Sequence, residues 1–342
     1  MKASVIRQFG GPDSFEYCDV NVPSIGHEEV LVRVLACAIN HYDLYLRKGN
    51  VTRDLSFPHV MGADVVGEIE KVGSRVQGSS AGDRVIVAPG YPLDPDEQDF
   101  EPINLARSYC VTGGIKWGGY AQFMAVPARF VIPNPPDLPA EQLATIPLVL
   151  VTAVHAVKTL AQVSPGQKVL VQAGASGSGA MCVQVARVLG ADVAATVGSD
   201  EKIEFVKQLG AELVINYQTC DFLDQVKDWT NGRGVDAVID NVGGSVFEGN
   251  IRALKRGGHF VNFGMVGGHT APYAFPLIFY KHLHLHGSMM GTAQELAWGF
   301  EQVRAGRIKP ILDQAMPLRD AGRAHEHLES RRTRGKVVLL PW

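Results

Sequence analysis

The sequence predicts an α/β protein in which an antiparallel β domain precedes a doubly wound parallel sheet. Three observations predict it. From about residue 168 to 263, strand-like runs alternate with helical stretches, the pattern of βαβ units. Residues 1 to about 130 are rich in Val, Gly and Pro and poor in helical periodicity. Glycine supplies 37 of 342 residues, above the usual roughly 7%. The glycines cluster between apolar runs, which suits tight turns and backbone-lined ligand sites.

At roughly 150 residues per domain, this length implies about two domains. Hydrophobic residues make up 46% and charged residues 20%, as in ordinary globular proteins. The net charge is -3 and the charges are scattered, which argues against nucleic acid or an anionic membrane as partner. The five cysteines, Cys18, Cys37, Cys110, Cys182 and Cys220, form no CxxC. A disulfide framework or four-cysteine zinc site is therefore unsupported, and a reducing cytoplasm is expected. The first seven residues lack the apolar core of a signal peptide. The apolar stretch 143–154 is too short to span a bilayer and contains Pro147, so no membrane partner is expected.

Taken in order, 29–34 and 83–87 read as short strands. A Pro-rich junction covers 132–139. Then come a strand at 168–172, a glycine cluster, and a helix to residue 189. Strands at 192–197, 213–216, 235–240 and 259–263 alternate with helices at 200–209, 221–229 and 246–254. The pattern changes near 288. A helix around 293–304 and a strand at 336–340 close the chain.

The strand Val169–Gln172 runs into Ala173-Gly174-Ala175-Ser176-Gly177-Ser178-Gly179 and then a helix. Missing Cβ atoms let backbone approach a pyrophosphate, and the helix N-terminus holds the anion. Within a βαβ series this predicts a dinucleotide site lined by Gly174, Ser176, Gly177, Ser178 and Gly179. The spacing is not a strict GxGxxG. In NAD enzymes an acidic residue at the end of the second strand binds the ribose 2′-hydroxyl. Here that place is Val197, followed by Gly198 and Ser199 with Lys202 close behind. Asp200 and Glu201 read as first-turn helix acids. The missing acid predicts NADPH.

These features, with Asn40-His41-Tyr42-Asp43, Pro58-His59-Val60-Met61-Gly62-Ala63-Asp64, Gly82-Asp83-Arg84-Val85, Gly118-Gly119-Tyr120-Ala121 and Asp240-Asn241-Val242-Gly243-Gly244, resemble the medium-chain dehydrogenase/reductase superfamily. The resemblance runs nearly end to end. It implies a GroES-like catalytic domain from residues 1–132 and 289–342 and a Rossmann NADP(H)-binding domain at 133–288. The alcohol dehydrogenases of the superfamily carry a catalytic zinc. At their ligand positions this chain has Asn40, Ala63, and no cysteine in 147–153. The implied branch is therefore the zinc-independent, zeta-crystallin-like quinone oxidoreductases, with no metal. The segment 88–117 has the length of a structural-zinc lobe but contains only Cys110.

The resemblance places Asn40 at the nicotinamide end of the cleft, as ligand to coenzyme or substrate oxygen; Asp64 also matches what the quinone oxidoreductase branch carries and is implied as a catalytic residue. Tyr42 takes the place of a proton-relay hydroxyl and is expected to protonate the product oxyanion. Tyr45 lines the cleft. Lys202, Tyr217 and Arg331 are implied around the adenosine 2′-phosphate, and Thr152, Asn241 and Gly264 are further coenzyme contacts. His282, His284 and His286 read as one face of an edge strand, in a region that often pairs across a two-fold, so a homodimer is expected. The function expected is NADPH-dependent reduction of quinones, enones or alkenals by hydride transfer. The alternatives are an alcohol dehydrogenase of the same superfamily or a non-catalytic NADPH-binding protein.

Overall fold

A computed structural model describes residues 1–272 and 275–342. The chain forms two compact units, Met1–Leu148 with Pro310–Trp342, and Val149–Lys309. The division falls later in the chain than residues 132 and 288. Helix Ala140–Leu143 packs on strands of the first unit, and the Leu148 N–H donates to Asp64 at 2.7 Å. Helix Ala293–Arg304 belongs to the second unit. Its first-turn Glu295 accepts from Thr292 N at 2.7 Å, from His155 Nδ1 at 2.9 Å and from the Thr159 hydroxyl. Burial alone would raise Glu295, but these bonds hold it near 2.

The main sheet of the first unit runs in the order Val131–Pro133, Arg84–Val87, Asp64–Val72, Glu29–Ala38, Lys336–Leu340, Leu312–Pro317, with Phe123–Pro127 also paired to Glu29–Ala38. Its pairs are antiparallel except the last, Leu312–Pro317 on Lys336–Leu340, which is parallel. Alternating residues such as Val30, Val32 and Val34 enter a core shared with Val65, Ile69 and Val85, as half-buried strands require. Ala38 pairs with Asp64 on one side and Val338 on the other. Strand period and antiparallel register therefore deliver Asn40, Asp64 and Lys336 to one spot. A seven-residue helix, His41–Arg47, follows directly. It is too short to show helical periodicity in sequence.

The second unit holds a six-stranded parallel sheet in the order Leu213–Asn216, Asp192–Val197, Lys168–Val171, Val235–Asp240, Leu254–Asn262, His284–Gly287. Strand order reverses at Lys168–Val171, the switch point where such sheets bind ligands. The strand expected at 259–263 begins five residues earlier. His282 leaves the expected face: it sits in a left-handed turn at φ 52°, and the strand starts at His284. His259 of the neighbouring strand takes its place. His259 Nδ1 lies 3.2 Å from His286 Nε2, and its ring stacks on His284.

The apolar segment Ala140–Leu160 is long and apolar enough to cross a membrane, but most of it is buried inside the protein. It is built of helix Ala140–Leu143, helix Pro147–Val154 and a π-helical turn His155–Leu160.

Candidate active site and coenzyme site

In the first unit, Asn40, Asp64 and Lys336 meet. They are 6%, 0% and 4% exposed. Asn40 Nδ2 donates to Asp64 Oδ2 at 2.9 Å. Lys336 Nζ donates to the same Oδ2 at 2.9 Å and to Asn40 Oδ1. Asp64 Oδ1 accepts from Leu148 N. The carboxylate is thus satisfied by three donors, and the ammonium neutralises it. The sequence singled out Asn40 and Asp64 without bringing them together and missed Lys336, which stands 272 residues beyond Asp64.

The backbone N–H of Asn40 donates to Asp43 Oδ2 at 2.8 Å. Asp43 is buried, and burial pushes its carboxyl up to about 7 despite that bond. Tyr42 and Tyr45 lie on the same short helix. The Tyr42 hydroxyl is turned toward the turn that follows strand Tyr109–Val111: a Cβ on Gly114 would sit 2.5 Å from it. Burial, then the neighbouring Cys110, raises its pKa above the usual phenol value. The Tyr45 hydroxyl is buried with no hydrogen-bond partner among the described residues.

In the second unit, Ser176 caps helix Gly177–Val188, accepting from Gly179 N at 3.0 Å and donating to Ala173 O at 2.8 Å. A Cβ on Gly179 would come within 2.1 Å of the Ala173 carbonyl oxygen, so this turn admits only glycine there. The Asn241 amide reaches Ser176 Oγ at 3.0 Å and Ser178 Oγ at 3.2 Å. With its oxygen toward the loop it also accepts from Gly179 N at 3.3 Å, while its nitrogen donates to Gln172 O at 3.1 Å. The sequence named Gly174, Ser176, Gly177, Ser178 and Gly179 together as one turn and Asn241 apart from it, and the fold brings the Asn241 amide to Ser176, Ser178 and Gly179. Gly174 N donates to Thr196 O at 2.8 Å. The Gly264 carbonyl accepts from Asn262 Nδ2 at 2.9 Å, and Asn262 in turn binds Asp240. Thr152 is buried, with its hydroxyl 3.9 Å from Met290 Sδ.

Beyond the second strand, Tyr217 bends over Gly198, where a Cβ would lie 2.6 Å from its hydroxyl. Ser199 and Lys202 border the turn Asp200–Lys202. Asp200, an exposed residue, accepts from Asn216 Nδ2 at 2.7 Å through Oδ1. Arg331 belongs to the first unit, in an exposed left-handed turn at φ 59°.

A dinucleotide fits the second unit. The capped helix N-terminus, the side-chain-free turn and the Ser176/Ser178 hydroxyls suit a pyrophosphate. Zinc does not fit the first. Asn40 and Ala63 replace the thiolate and imidazole that zinc favours, Asp64 is already satisfied, and a dication would meet the Lys336 ammonium.

Two family models match, an alcohol dehydrogenase GroES-like domain over residues 26–136 and a zinc-binding dehydrogenase domain over 177–304. A 2-haloacrylate reductase of Burkholderia sp is 32% identical over 99% of this chain and 98% of its own. Among solved structures, an NAD-dependent alcohol dehydrogenase superposes with TM-score 0.94 at 37% identity, covering all of both chains. The Escherichia coli quinone oxidoreductase complexed with NADPH superposes with TM-score 0.86 at 28% identity, again over all of both chains. With its GroES-like and Rossmann units, the chain is an oxidoreductase of the medium-chain dehydrogenase/reductase superfamily, in the quinone-oxidoreductase-like branch.

Proposed function

We propose that the protein is a zinc-independent, NADPH-dependent reductase of quinones or activated enones and alkenals. The observation that carries this reading is the Asn40–Asp64–Lys336 cluster. It puts a buried amide, Asn40, at one metal-ligand position of the superfamily's alcohol dehydrogenases, and Ala63 stands at another.

NADPH, when bound, supplies a hydride from its nicotinamide ring. Ser176, Ser178, Gly179 and Asn241 hold the pyrophosphate, with Gly174, Gly177, Thr152 and Gly264 shaping the coenzyme site. Lys202, Tyr217 and Ser199, all of the second unit, would bind the 2′-phosphate. The absence of an acid at Val197, where the second strand ends, and the bare Gly198 after it support this preference over NADH. A quinone or enone gains negative charge on oxygen as hydride arrives, and a preorganised N–H or O–H donor lowers that barrier. Asn40 supplies one such donor and the unpartnered Tyr45 hydroxyl a second. The 2-haloacrylate reductase, named for an electron-poor alkene, supports the enone class.

The test is steady-state turnover with NADPH and NADH against quinones, alkenals, aldehydes and alcohols. Quinone or alkenal reduction with at least about tenfold preference for NADPH, about 1.4 kcal/mol, is expected. Alcohol oxidation with NAD as the fastest reaction would overturn the reading. Dimerisation through the open edge of His284–Gly287, which has one neighbour in the sheet among the described residues, and a cytoplasmic location complete the proposal.

A further inference from the structure

We propose that Lys336 is a positioning residue that stands in for the metal: its ammonium fixes Asn40 as a hydrogen-bond donor toward the reacting oxygen. This rests on the reductase reading above.

An asparagine amide presents a carbonyl oxygen and an NH2 group on nearly identical shapes. Left to itself, Asn40 could turn either one toward substrate, and a carbonyl there would repel a developing oxyanion. In the structure Asn40 Oδ1 accepts from Lys336 Nζ, and one Nδ2–H is held by Asp64 Oδ2 at 2.9 Å. Rotating the amide would set Nδ2 against the ammonium and Oδ1 against the carboxylate, two repulsive contacts in a buried site. A single orientation survives, with the second Nδ2–H left to donate. Asp64 is held in turn by the Lys336 ammonium at 2.9 Å and the Leu148 N–H at 2.7 Å, so the ion pair is nearly neutral and anchored to backbone. A catalytic zinc performs two tasks, polarising the substrate oxygen and fixing its geometry. Here Asn40 takes the first and Lys336 the second. Lys336 acts through Asn40 and need not touch substrate.

The test is a mutant cycle. Asn40→Ala removes the donor and is expected to lower kcat about 100-fold. Lys336→Met leaves Asp64 buried and uncompensated and is a risk to folding, so Asp64→Asn/Lys336→Met is the working variant. It removes both charges, and residue 64 keeps one oxygen acceptor to share between Asn40 Nδ2 and the Leu148 N–H. That variant is expected to fold, to bind NADPH with unchanged affinity, and to lose at least about tenfold in kcat with KM changed less than about threefold. Adding Asn40→Ala to it should lower kcat no further than Asn40→Ala alone, within about threefold. A double variant that recovers both melting temperature and wild-type kcat overturns the inference, because Lys336 would then be structural only. Multiplying losses in the triple variant overturn it too. If the wild-type protein turns over no quinone or enone, the reductase reading fails and takes the inference with it. Wild-type turnover with a fully active double variant fails the inference alone.

Discussion

The Lys336 ammonium lies 2.9 Å from the Asp64 carboxylate with almost no exposure of either side chain. Removing one partner of such a buried pair leaves an unpaired charge in low dielectric and costs about 3–5 kcal/mol, whereas removing both is often neutral. Lys336→Met should therefore lower the melting temperature sharply, and adding Asp64→Asn should restore most of it. Thermal unfolding of the three proteins checks this. Additive losses would contradict it.

Tyr42 and Tyr45 separate by partner. Tyr42 faces the turn after strand Tyr109–Val111 with a raised pKa, a weak acid turned toward protein. Tyr42→Phe should keep kcat within about threefold of wild type. A 100-fold loss would restore it as the proton donor. Tyr45→Phe deletes a buried hydroxyl that lacks a partner. It should leave stability equal or higher while lowering kcat at least about tenfold.

Asp43 imposes a pH dependence. Its native pKa, about 7, lies above the unfolded value of about 3.9. Between those values the native state holds a proton that the unfolded state has released. Stability contributed by this group is therefore full below about pH 4, falls as pH rises to about 7, and is flat above. Asp43→Asn removes the charge and keeps an acceptor for the Asn40 N–H. Its melting temperature relative to wild type should rise from pH 5 to pH 8. A difference that is constant or falls with pH would contradict the buried acid.

Coenzyme choice is tested at Lys202 and Gly198. Lys202→Ala should raise KM for NADPH about tenfold and leave KM for NADH within about twofold. Gly198→Asp brings a carboxylate to the end of the second strand, and its Cβ collides with the Tyr217 hydroxyl. It should reduce NADPH use further, because an acid there repels the 2′-phosphate. Equal loss for both coenzymes would place Lys202 outside the phosphate site.

The coenzyme half of the site was legible because its signals are local. Strand, glycines and helix lie within one short segment, and strands such as Asp192–Val197 and Val235–Asp240 are mostly apolar and lie between helical stretches. Asn40 and Asp64 were legible by resemblance. Lys336 was not, because it begins an ordinary-looking strand, and only the register of Ala38 with Val338 brings it to Asn40. The setting of Tyr42 depends on a turn about 70 residues downstream, which no spacing encodes. The turn at His282 was hidden by alternation with leucines, which mimics a strand through a left-handed residue.

The central claim is chemistry without zinc, carried by Asn40 and held by Lys336. The most direct measurement is metal content together with NADPH-dependent quinone reduction before and after chelation. Less than about 0.1 zinc per chain and unchanged kcat after chelator treatment are expected. One zinc per chain, with activity lost on chelation and restored by zinc, would contradict it.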